Sequence, residues 1–146
     1  MSRVAIQEAD FDPTAEIEAL TAGKADVGAV ASFVGVVRGG EIRAMTLEYY
    51  PGMTEKAIDA ILAEAQERWH LLGLRVIHRV GRLLAGERIV LVVAAAGHRG
   101  EAFAACEFVM DYLKTRAPFW KREETAAGAR WVDAREADDS AAKRWG

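Results

Sequence analysis

At 146 residues, 51% of them hydrophobic and 28% charged, the chain has the size and makeup of a single globular domain able to bury a core. Its 22 acids against 19 bases give a net charge of −3, which argues against a broad basic face for nucleic acid or for anionic membrane. A lone cysteine, Cys106, excludes an intramolecular disulfide and fits a reducing, cytoplasmic setting. Consistent with that setting, the N-terminus has acids where a signal peptide has its apolar stretch, and no apolar run approaches the roughly 20 residues of a bilayer span.

In chain order, residues 3–8 are predicted to form a short strand, and Asp12-Pro13 supplies an N-cap and a first-turn proline for a helix to about Ala22. Gly28 to Arg38 is apolar and β-branched in its second half and reads as a strand closed by Gly39-Gly40. Met45 to Tyr50 alternates as a strand. Pro51 then opens a long helix, with Ala57, Ile58, Ile61, Leu62, Ala65 and Trp69 at helical spacing. Leu74 to Val80 and Arg88 to Ala96 are predicted strands joined by a turn around Ala85-Gly86-Glu87.

Glu101 to Arg116 carries a broad apolar stripe, including Phe103, Cys106, Phe108 and Tyr112, and is predicted to be a helix limited by Pro118. A hairpin follows, with strands at 119–125 and 130–134 and a turn near Gly128. The polar tail from Glu136 to Gly146 is predicted to hold a short helix. Strands and helices alternate irregularly, so the expected class is α+β with a mostly antiparallel or mixed sheet, formed by one domain over 1–146. There is no glycine-rich phosphate loop, dinucleotide fingerprint, zinc signature or serine-nucleophile motif, so no cofactor or metal is expected.

The chemistry concentrates at residues 110–124, where Lys114, Arg116, Lys121 and Arg122 fall within nine residues that contain no acid. Tyr112, Phe119 and Trp120 offer apolar walls beside them, a combination suited to a small anion bearing a flat ring. Lys114, in the last turn of its helix, either complements the helix dipole, the commoner role and worth about 0.3–1 kcal/mol, or, partly desolvated, donates and accepts protons. Lys121 shares one strand face with Phe119 and Glu123, with Trp120 and Arg122 on the other. It either pairs with Glu123 on the surface or, through the turn forced by Pro118, folds back towards Lys114. Gly97-His98-Arg99-Gly100 places backbone N–H groups and two cationic side chains at a helix start, either a plain capped loop or a phosphate site. Arg38 closes its strand either at the surface or at a pocket rim. His70 and His78 share no ligand spacing and are read as structural, and Cys106 as inert packing.

Tyr50-Pro51-Gly52-Met53-Thr54-Glu55-Lys56, Ile77-His78-Arg79-Val80-Gly81, His98-Arg99 and the run from Met110 to Glu123 resemble the large, catalytic subunits of molybdopterin synthases. The resemblance covers about residue 26 to the Lys-Arg-Trp ending. It implies an α/β-hammerhead fold with additional antiparallel strands. The implied activity converts cyclic pyranopterin monophosphate to molybdopterin by installing a dithiolene. Sulfur would arrive as the thiocarboxylate on the C-terminal glycine of a small ubiquitin-like subunit, bound to each end of a homodimer in a heterotetramer. Lys114 and Lys121 are the implied catalytic residues. They are also implied substrate-binding residues, together with Val36, Val37, Arg38, His98, Arg99, Arg122 and Glu123. Val36 stands where many members of that family have a lysine, and the loop from Gly39 to Ile42 is shorter than in many relatives. One cysteine cannot deliver two sulfurs, which agrees with an external donor. A non-catalytic anion-binding module or a nucleic-acid-binding domain are the competing classes. Arginine would serve pure anion binding better than the paired lysines, and the charge disfavours the second.

Overall fold

The computed structural model describes residues 3–132 and 136–146. Its elements are β1 (Val4–Gln7), α1 (Pro13–Thr21), β2 (Ala29–Val36), β3 (Ile42–Tyr49), α2 (Met53–Arg68) and β4 (Leu71–Arg79). They continue with β5 (Gly81–Leu84), β6 (Arg88–Ala96), α3 (Arg99–Leu113), β7 (Phe119–Thr125), β8 (Gly128–Val132) and α4 (Glu136–Lys143). The class is α+β, as expected, and the C-terminal hairpin and tail helix are present. Residues 133 and 134 of the predicted last strand lie outside the described residues.

The strands are mostly antiparallel, as expected, and divide between two sheets. One four-stranded sheet runs β1-β4-β6-β2 and a second runs β5-β3-β7-β8. Among the described residues, β1 and β4 pair in parallel and the other ladders are antiparallel. The apolar run in β6 is explained by cover on both faces. Val90, Val92, Ala94 and Ala96 join α2 and α3 in the main core, while Leu91, Val93 and Ala95 meet Phe11 and Leu20 of the α1 side. Asp12 caps α1 as predicted, its carboxylate accepting from the Thr14 and Ala15 N–H groups at 3.0 and 3.3 Å.

The strand β5 was not predicted. Gly81 sits at φ +88°, a conformation glycine adopts without strain, and there the chain turns from the first sheet into the second. Four residues with one buried side chain, Leu83, are too few to give a periodic signal. A bulge at Gly35/Val36 breaks the register at the end of β2. Val37 then enters the small second core with Leu47 and Leu83, and its N–H donates to the Glu87 carbonyl at 2.9 Å. The cleft described next opens where these crossings occur. Among the described residues, no helix is long and apolar enough to cross a membrane.

Candidate active site

The helix α3 stops three residues short of its predicted end, with Lys114 as its C-cap residue. Beyond it the Arg116 N–H closes on the Tyr112 carbonyl at 2.7 Å, and Pro118 turns the chain into β7. Thr54, fully buried in the first turn of α2, holds this kink. Its hydroxyl donates to the Pro118 carbonyl at 3.0 Å and accepts from the Tyr50 N–H at 2.9 Å. The Tyr50–Lys56 segment thereby fixes the direction in which β7 leaves.

That direction brings Lys114 and Lys121 onto the same cavity of about 390 Å³, within the usual range for a small-molecule site. Strand alternation selects the rest of its β7 wall. Phe119, Lys121 and Glu123 line the cavity, while Trp120 and Arg122 are exposed on the opposite face. Glu123 is only 5% exposed. From the end of β2, Val36 and Arg38 reach the rim, and Val37 between them points into the second core. Apolar lining comes from Ile42, Met45, Ile89 and Met110.

Several expected walls lie elsewhere. Tyr112 is buried against Phe108, under the Arg116 guanidinium, which stands 3.8 Å from its ring centroid. Arg116 turns away from the cavity to pair with Glu64 at 3.2 Å. Lys114 is exposed at the cavity mouth rather than desolvated by aromatics, and Lys121 is half-buried. His98 and Arg99 are exposed at the N-terminal end of α3, and His98 makes no side-chain capping bond. A helix of 15 residues separates them from Lys114 by roughly 22 Å at 1.5 Å per residue. One chain therefore gathers Val36, Arg38, Lys114, Lys121 and Glu123, and leaves His98, Arg99 and Arg122 outside.

The cavity also contains a residue read as structural, His78. Its signal was available in the pattern: Leu74, Val76 and His78 share the face of β4 that meets α3, and a polar residue on a core face calls for an explanation. The ring is 7% exposed and stacks on Phe119 at a centroid distance of 3.9 Å. Burial, with lesser repulsion from Lys114 and Lys121, pushes its pKa down to about 4, against an opposing backbone hydrogen bond at Arg79. The same motif contains Arg79, which is structural: its guanidinium donates to the Glu8 and Arg88 carbonyls and ties the N-terminal strand to β6.

Cys106 is buried on α3, its Sγ 3.9 Å from the Val92 carbonyl. Burial, assisted by Glu107, raises the thiol pKa to about 11, so it is not a sulfur nucleophile at neutral pH. Among the described residues, no cluster of His, Cys, Asp and Glu is arranged to hold a metal ion.

Two sheets meeting beneath the end of a helix, with paired lysines, an arginine and a buried carboxylate around one cleft, define an α+β protein with a cation-lined cavity of small-molecule size. The profile of the MoaE protein family matches residues 6–116. The molybdopterin synthase catalytic subunit of Ralstonia nicotianae is 60% identical over 150 aligned residues, spanning all of this chain and 85% of that protein. Its counterpart in Pseudomonas aeruginosa is 57% identical, with 97% of each chain covered. A solved molybdopterin biosynthesis MoaE protein from Burkholderia ambifaria superimposes with a TM-score of 0.87 at 57% identity, over 100% of this chain and 99% of that one. The chain belongs to the MoaE family.

Proposed function

We propose that this chain is the catalytic subunit of a molybdopterin synthase, a sulfurtransferase of molybdenum cofactor biosynthesis. It acts as one domain over residues 1–146. It moves sulfur from the C-terminal thiocarboxylate of a small ubiquitin-like subunit onto cyclic pyranopterin monophosphate, forming the dithiolene. The observation that carries this reading is the convergence of Lys114 and Lys121 on one cavity in a chain 60% identical to a named catalytic subunit. The cavity suits a flat ring with an anion, because apolar side chains line its walls and cations stand at its mouth.

Lys114, exposed at the opening, meets the incoming thiocarboxylate, polarising it or transferring a proton. Lys121, deeper on β7, binds the pterin and takes part in acid–base work. Arg38 and the backbone at Val36 and Val37 hold the rim, and Glu123 completes the inner wall. Holding both reactants in register supplies much of the rate gain in reactions of this kind. His98 and Arg99 reach a cavity of this type only from a second copy of the chain, so the working form is a homodimer core carrying a small subunit at each end. Arg122 lies exposed on the outer face of β7. The single buried thiol fits a cytoplasmic location.

The deciding experiment mixes the purified chain with a thiocarboxylated ubiquitin-like carrier and cyclic pyranopterin monophosphate, then measures dithiolene. Product formation that requires all three components is the expected result. No product from folded, authentic components would remove the enzyme reading.

A further inference from the structure

His78 holds a position in the cleft that the roles above leave without a task. Two constraints fix its ring. Phe119 covers one face, with the two planes 18° apart. Nδ1 lies 2.8 Å from the Arg79 carbonyl oxygen. That oxygen only accepts, so Nδ1 carries the hydrogen and Nε2 of the neutral ring is a bare acceptor. Among the described residues, no sealed side-chain nitrogen or oxygen lacks a hydrogen-bond partner. Since Nδ1 is engaged, Nε2 is the edge that His78 offers to the cavity it lines.

The neighbours of this nitrogen make it distinctive. Lys114 from the end of α3, Lys121 from β7 and Arg38 from the end of β2 all line the cavity and all only donate. Glu123, on β7, also lines the cavity and accepts, but as a carboxylate. Burial, with lesser repulsion from Lys114 and Lys121, keeps His78 uncharged at neutral pH. Among the described residues, the cleft therefore offers cations for an anion and, in His78, a fixed, neutral side-chain acceptor for a donor. Cyclic pyranopterin monophosphate carries both kinds of group, a cyclic phosphate and ring N–H donors.

We propose that His78 reads the heterocycle of the substrate: Nε2 accepts a hydrogen bond from a ring N–H while Lys114 and Lys121 engage the anionic part. This rests on the reading of the cleft as a pterin site.

The test uses the assembled complex with thiocarboxylated carrier and cyclic pyranopterin monophosphate. In His78→Asn the side-chain amide retains a donor for the Arg79 carbonyl but nothing at the Nε2 position. In His78→Gln an amide oxygen is carried out to about the Nε2 position. The expected result for His78→Asn is a KM for the pterin raised about tenfold, the effect of one lost neutral hydrogen bond in a closed site, with a smaller change in kcat. His78→Gln should recover most of that KM. A KM within twofold of wild type for His78→Asn overturns the proposal, and so does equal impairment of both variants, which assigns the ring a structural role alone. If either variant fails to fold, the ¹⁵N resonance of His78 Nε2 in the wild-type protein decides. It moves upfield on titration with the pterin if the nitrogen accepts a hydrogen bond, and an unmoved resonance at saturation overturns the proposal. Absence of wild-type turnover is a separate result and counts against the enzyme reading instead.

Discussion

His78 and Phe119 stack across the boundary between the two sheets, with ring centroids 3.9 Å apart and planes 18° from parallel. His78 is the penultimate residue of β4 in the first sheet, and Phe119 is the first residue of β7 in the second. The contact joins the larger core to the strand that carries Lys121. Packing and chemistry thus share one ring pair, and a charge placed on His78 disturbs both.

That coupling gives a pH dependence with a defined sign. The unfolded chain protonates His78 near its ordinary pKa of 6.5, whereas the folded chain resists protonation down to about 4. Between those values the unfolded state binds more protons, so stability is full above pH 6.5 and falls as the pH drops towards 4. The His78 contribution to that loss is roughly 3 kcal/mol. Lys114, Lys121, Arg38 and Glu123, which face the same cavity, are unchanged in His78→Phe. Urea unfolding of the wild type and His78→Phe from pH 7 to pH 4 isolates the effect, and the variant should lose less stability by about that amount. Parallel curves would contradict it.

Removing either amine from the cleft should separate activity from folding. Lys114→Ala and Lys121→Ala are each expected to lower dithiolene formation by about 10²–10⁴-fold, the range for loss of a positioned proton-transfer group. Neither side chain belongs to the three buried cores, so the urea midpoints should stay close to wild type. Turnover at the wild-type rate by either variant would refute the role given to that lysine.

Thr54 is a third place where sequence and site connect. Its hydroxyl is the shared partner of the Pro118 carbonyl and the Tyr50 N–H. Thr54→Val keeps the shape but leaves both backbone groups without that partner, at a cost of about 1–3 kcal/mol. Because Pro118 lies between Lys114 and Lys121, turnover should drop along with the urea midpoint, and Thr54→Ser should restore both. A valine variant with wild-type stability and rate would show that the kink is held by other contacts.

Most of the fold was legible because its elements carry long, regular patterns. The Asp12-Pro13 cap, the helical spacing in α2, the apolar run of β6 and the alternation of Phe119, Lys121 and Glu123 all lie where residue type demands. The misses have local causes. A strand of four residues entered through Gly81 has too little length to show a period, and the split into two sheets depends on that turn and on the Gly35/Val36 bulge. Tyr112 and Trp120 were placed beside the lysines by closeness in sequence. Helix and strand geometry send them to the core and to the outer face. His78 shares no ligand spacing with other residues, and its role shows instead in its position on the core face of β4.

The lone thiol offers a direct check on where the sulfur comes from. Cys106 is buried and its pKa stands near 11, raised by burial and by Glu107. At pH 8 it should resist alkylation in the folded protein and react readily once urea unfolds the chain. Cys106→Ala removes one sulfur atom from the core and should leave the rate of dithiolene formation unchanged, with a modest loss of stability. A rate collapse in a folded Cys106→Ala protein would mean that this chain handles sulfur itself.

The separation of His98 and Arg99 from Lys114 along α3, roughly 22 Å, makes the dimer testable by complementation. If each chain lends these residues to the cavity of its neighbour, Arg99→Ala and Lys114→Ala damage different halves of one composite site. Homodimers of either variant should each be nearly inactive. In a mixed dimer, one cavity combines the intact Lys114 of one chain with the intact Arg99 of the other, while the second cavity carries both defects. Co-expression and tandem-tag purification of the mixed species should therefore return about half of the wild-type rate, the share expected from one good site in two. If Arg99 acted within its own chain, every cavity in the mixture would carry one defect, and the mixed dimer would be as inactive as its parents.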